Sequence, residues 1–143
     1  MISHNTTHAS LPVRSFAVSE KQGDFEVIAL VYELGDDCLV ILYGGTRPHI
    51  GAIGMAQVRP SLRDPKEIAA TSSVFTFVGH KEDVVAKAMS EELTRRLARN
   101  TVVVAGIHWD GLSVEGIEMI RNICQVLTEK ILKTLFRSGL KSL

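Results

Sequence analysis

No run of eighteen apolar residues occurs in this sequence, so no transmembrane helix is expected. Net charge is also missing. Sixteen basic side chains balance sixteen acidic ones. A zero balance gives no electrostatic footprint for DNA or RNA, and it leaves little self-repulsion to oppose association, which favours a homo-oligomer. Cysteine is scarce: Cys38 and Cys124 are the only two, and neither belongs to a C-x-x-C pair. That spacing excludes zinc-finger and thioredoxin-type chemistry and predicts two buried free thiols in a reducing compartment. The first ten residues are polar and lack the apolar segment of a signal peptide, so a cytoplasmic protein with a flexible arm at 1–10 is expected.

What is present fits one domain over residues 11–138. Leu11 to Val18 reads as a first strand. Phe25 to Leu34 (FEVIALVYEL) is rich in β-branched and aromatic residues and predicts a second. Gly35, Asp36 and Asp37 form a turn signal, and Cys38 to Tyr43 (CLVILY) is a short apolar run that completes a hairpin. Ala52 to Val58 and Thr71 to Val78 are further strands, separated by RPSLRDPK (59–66), whose two prolines break either regular element.

The period changes at Glu82. Val85, Met89, Leu93 and Leu97 fall four apart, which predicts an amphipathic helix over 82–100. TVVVAGI (101–107) is a buried strand. A second apolar stripe follows, capped by Ser113, running through Ile117, Ile120, Cys124, Leu127, Ile131 and Leu135, and ended by Gly139. Strands first and helices later predict an α+β two-layer domain: a mainly antiparallel sheet of five to six strands with two long helices on one face. The stretch from Thr71 to Ile107 predicts one parallel crossover within it.

The chemistry-bearing residues cluster in loops. His49, His80 and His108 each fall at or beside a strand end. If the ends coincide, the three converge and become candidates for a divalent metal or for anionic oxygens, although no H-x-x-x-H spacing is present. The bland alternative is three separate hydrogen-bonded loop residues. Arg47, Arg59, Arg63 and Lys81, with Ser61 and the hydroxyls of Thr71, Ser72 and Ser73, suit a phosphate monoester. Their bland alternative is surface charge paired with Asp64, Glu67 and Glu82. Trp109 is the single tryptophan and precedes a helix start, where an indole can stack on a planar ring or simply close the core rim. No Walker motif, no G-x-G-x-x-G and no G-x-S-x-G elbow occurs. Ser61, His80 and Asp110 can be drawn as a triad, but no spacing supports it.

Four blocks, GGTRPHIGA (44–52), RPSLRDP (59–65), TSSVFTFVGHK (71–81) and VVAGIHWD (103–110), resemble the prenylated flavin chaperone-like family, small proteins that accompany gallate and hydroxyarylic acid decarboxylases. The likeness covers about residues 25–135. It implies a non-catalytic protein that binds prenylated flavin mononucleotide (or flavin mononucleotide), made by a separate flavin prenyltransferase, and passes it to a decarboxylase. The residues expected to bind are His49, Arg59, Ser61, Ser72, Ser73, His80, Lys81, His108 and Trp109, with a divalent metal at His49, His80 and His108 as the variant that an enzyme would need. An oligomeric accessory protein without a small ligand is the third reading.

Overall fold

Alternation in the second strand sets the architecture. Val27, Ala29 and Val31 are fully buried, while Ile28, Leu30 and Tyr32 between them are only half-buried. One face of the sheet therefore carries the core. The computed structural model describes residues 13–77, 79 and 82–141, the side chains of 140 and 141 aside. Among them the chain forms β1 (Val13–Gln22), β2 (Phe25–Leu34), β3 (Asp37–Gly45), β4 (Ala52–Pro60), β5 (Ile68–Thr76), α1 (Asp83–Leu97), β6 (Thr101–His108) and α2 (Val114–Lys141). The six strands make one sheet in the order β1-β2-β3-β6-β4-β5.

All neighbouring pairs are antiparallel except β3 and β6, which run parallel with Gly45 opposite His108. The expected mainly antiparallel α+β sheet is what forms. The β5–α1–β6 stretch does return parallel, but β4 lies between the two strands.

Both helices pack on the buried face. Thr94 of α1 donates to the carbonyl of Ala56 on β4, and Lys130 of α2 reaches the carbonyl of Ser19 on β1. Leu93, Ile123, Leu127 and Ile131 are sealed against Val40, Leu42 and Val103. Each such aliphatic side chain is worth about 1.5–3 kcal/mol of burial.

Several details differ from expectation. β1 runs to Gln22 and turns into β2 through Gly23, whose φ of 58° suits glycine. β4 continues through Pro60, at the end of its ladder where the missing N–H costs nothing. α2 passes through Gly139, because its register on the core continues to Leu135 and no Schellman turn intervenes. Ile117, expected on the buried stripe of α2, is 42% exposed, and Ile123 and Leu132 take the buried places instead. The expected arm at 1–10, and Val78 at the end of the fifth strand, lie outside the described residues.

Candidate functional site

The β3–β4 connection must step over the end of β6, because β6 sits between the two strands it joins. Residues 46–50 do this as a strap. The N–H of Thr46 donates to the carbonyl of His108 (2.8 Å) and that of Gly51 to Ala105 (2.9 Å). The strap lies so close that a Cβ at Gly106 would collide with the carbonyl of His49, and one at Gly45 with the carbonyl of His108. Glycine is required at both places, and Gly45 also has φ of 90°.

This geometry gathers a polar cluster at one end of the sheet. Nδ1 of His49 lies 2.9 Å from the carbonyl of Arg47, and Nε2 lies 2.7 Å from Oε1 of Glu82, at the start of α1. Both partners are acceptors. A ring nitrogen that carries a proton donates to the acceptor beside it, so the two contacts fix the orientation of the imidazole. The ring of His108 stands edge-on to that of His49, 6.1 Å between centroids. Nε2 of His108 donates to Oδ1 of Asp110 (2.9 Å), and the Arg47 guanidinium lies 3.5 Å from the same oxygen. The His108 hydrogen bond first, and the Arg47 charge second, hold the Asp110 carboxyl below the usual carboxylate range.

Trp109 turns the other way. Its ring meets Phe25 edge-on at 5.1 Å and packs on the core beneath Gly44. The closing of the core rim is thus its structural role. Ser113 caps α2 beside it, its Oγ accepting from the N–H of Gly116 (3.0 Å).

The other expected residues are elsewhere. Arg59 and Ser61 lie at the far end of β4, about 25 Å from His49 at the rise of an extended strand. Nε of Arg59 donates to Oγ1 of Thr71 (2.6 Å), and Ser61 is spent on the turn, accepting from the N–H of Arg63 (3.2 Å). Ser72 points under α1 and donates to Glu91. Ser73 points to the opposite face, into a hollow of about 590 Å³ that Leu39, Met55, Thr71 and Val102 also line. His49, His108 and Trp109 thus come together at one end of the sheet, while Arg59 and Ser61 lie at the other. His80 and Lys81 lie outside the described residues, though Glu82 beside them is at the strap.

Two participants carry little signal in the sequence. Glu82 meets a residue far away along the chain, so nothing local marks it. Asp110 is visible in the His-x-Asp spacing of IHWD, but the triad drawn through it needs Ser61, which the structure places at the opposite end. Among the described residues no group of three or more His, Cys, Asp or Glu side chains could hold a metal ion.

A family model for the prenylated flavin chaperone LpdD-like domain matches residues 21–136, every strand from β2 onward and most of α2. The chain belongs to this family. Within it, Protein LpdD of Lactiplantibacillus plantarum is 28% identical over 88 residues. The matched stretch spans 62% of this chain and 61% of that protein, under two thirds of either. Among solved structures, a chain in the crystal structure of a chaperone complex for yeast 20S proteasome assembly superposes with a TM-score of 0.52 at 13% identity. It covers 87% of this chain and 96% of that one, and at this identity the likeness concerns the fold alone. In this LpdD-like chain the six-stranded sheet has both helices on one face, and the strap over β6 lies within the matched residues.

Proposed function

We propose that this chain binds a phosphate-bearing flavin, prenylated flavin mononucleotide or flavin mononucleotide, and hands it to a hydroxyarylic acid decarboxylase. Family membership across residues 21–136 carries this reading. The strap end supplies the place. Arg47 and His108 offer donors for a phosphate, with the His49 ring edge-on behind His108. They come from two separate stretches of chain held together by backbone hydrogen bonds. Donors fixed in this way lose little freedom when an anion arrives. The donor of the flavin is a prenyltransferase, and the exchange takes place in the cytoplasm. No described helix is long and apolar enough to cross a membrane.

A metal-dependent enzyme has less to stand on. It requires His80 to join His49 and His108, and both nitrogens of His49 already face protein oxygens.

The test is a titration of purified full-length protein with prenylated flavin mononucleotide, oxidised and reduced, and with flavin mononucleotide, followed by flavin fluorescence and absorbance. Saturable binding is expected for at least one form, and addition of the loaded protein to a decarboxylase lacking cofactor should raise its activity above that with free flavin. Absence of binding to every form, with and without divalent metal, overturns the proposal.

A further inference from the structure

From the face of the sheet turned away from α1 and α2, we infer that two copies of this chain dimerise by stacking these faces. Leu30, Tyr32, Leu39, Ile41, Val102 and Val104 alternate with the buried core residues, so they share that face, and no described element packs on it. On β4 and β5, Met55 is 50% exposed and Phe75 is 61% exposed. An antiparallel sheet whose outer face is solvated carries polar residues there. This one carries large apolar ones across β2, β3 and β6, with Ser15 and Ser19 on β1 and Gln57, Thr71 and Ser73 on β4 and β5 beside Met55 and Phe75.

The occupant follows from size and charge. Six strands of nine or so residues present a face of about 29 by 30 Å, or roughly 850 Å² per copy, at ordinary strand spacing and rise. Two such faces bury about 1,700 Å², the size of a standard stable interface. A two-fold contact sets a patch against itself, so charges near its centre would meet their own kind. Lys21, Glu26, Asp37 and Arg59 belong to this face but stand at strand ends, and its centre is charge-free. The chain as a whole has no net charge to oppose pairing. Stacked sheets lie about 10 Å apart with interdigitating side chains, which is how antiparallel sheets with two apolar inner faces are normally covered.

His108 alternates onto the same face at its strap end. A second copy therefore stands over whatever the strap binds. This last consequence rests on the function proposed above, whereas the dimer does not.

The experiment is sedimentation equilibrium of the full chain at low and high micromolar concentration, with no flavin present. The expected mass is twice 15.7 kDa. Met55→Glu should halve that mass while keeping the native circular dichroism, and Val84→Glu, in the groove between α1 and α2, should leave it doubled. A wild-type monomer at high concentration, or a dimer that Val84→Glu breaks and Met55→Glu does not, overturns the inference. Should Met55→Glu fail to fold, hydroxyl-radical labelling of the wild type decides: Tyr32 and Met55 should gain at least several-fold protection as concentration rises. Unchanged labelling overturns it. Because flavin plays no part in this readout, the dimer and the flavin proposal fail separately.

Discussion

Nε2 of His49 lies 2.7 Å from Oε1 of Glu82 across 33 residues of chain, and this contact ties the strap to the start of α1. Removing the carboxylate leaves the imidazole without its anionic partner in a largely buried position. Glu82→Ala should lower stability by about 2 kcal/mol, below the usual cost of breaking a buried pair because His49 keeps some water contact. Glu82→Gln retains an acceptor and should cost about half as much. Urea unfolding followed by the fluorescence of Trp109, the single tryptophan, measures both.

Two glycine positions separate steric need from backbone strain. A Cβ at Gly106 would meet the backbone carbonyl of His49, which cannot move without releasing the strap. Gly106→Ala should cost about 3 kcal/mol or more. At Gly111 nothing lies within 4 Å, and only φ of 65° opposes a side chain. Gly111→Ala should cost about 1 kcal/mol. Equal thermal shifts for the two variants would show that the strap is not held against β6.

The elements are legible in the sequence because each carries its own period. The β-rich run from Phe25 to Leu34 matches β2 end to end, and the fourfold spacing of Met89 and Leu93 marks α1. The order of strands is less accessible. Nothing local in TVVVAGI says that it inserts between β3 and β4, since a strand paired on both edges bonds through backbone groups that every residue possesses. That insertion decides the site. It brings the ends of β3 and β6 and the start of β4 together and so unites His49 with His108, while the length of β4 carries Arg59 away from them. Closeness in sequence between PHIG and RPSL is therefore misleading. Period-two alternation likewise sends neighbouring Ser72 and Ser73 to opposite faces.

Ser72 donates to Glu91 of α1, and this has a pH signature. Its hydrogen bond first, and Lys87 after it, pull the Glu91 carboxyl below the ordinary glutamate value of 4.5. A carboxyl depressed in the folded state contributes stability that is present above its unfolded value and lost as pH falls through its folded value. Ser72→Ala should cost about 0.5–1.5 kcal/mol at neutral pH. The gap between wild type and variant should close in acid, below the glutamate range. A gap that stays constant down to strongly acid pH would assign the loss to packing instead.

Both thiols should be inert in the native protein. Burial pushes Cys38 up to about 11 and Cys124 up to about 12, against an ordinary 9.0. Reactivity needs the thiolate, so at pH 8 a disulfide reagent should titrate almost no sulfur until denaturant is added, and then two per chain. Fast native labelling of Cys38 would mean that the start of β3, beside the Arg99–Glu33 ion pair, opens to solvent.

The separation of the two candidate clusters makes the proposed flavin site decidable by three substitutions. The strap end offers Arg47 and His108, which touch each other at 3.3 Å, and the far end of β4 offers Arg59 beside Thr71. Within one chain a single phosphate cannot engage both, since the length of β4 lies between them. Arg47→Ala and His108→Ala should each weaken flavin phosphate binding by about 1.5–3 kcal/mol, the worth of a hydrogen bond to a charged group. Arg59→Ala should change it by less than about 0.5 kcal/mol, as a distant surface substitution does. None of the three should unfold the protein, because all are at least partly exposed and none belongs to the core. The opposite ranking, with Arg59→Ala as the damaging change, would move the flavin to the 590 Å³ hollow lined by Ser73 and Met55. It would also leave the strap as a structural device that orders the end of β6.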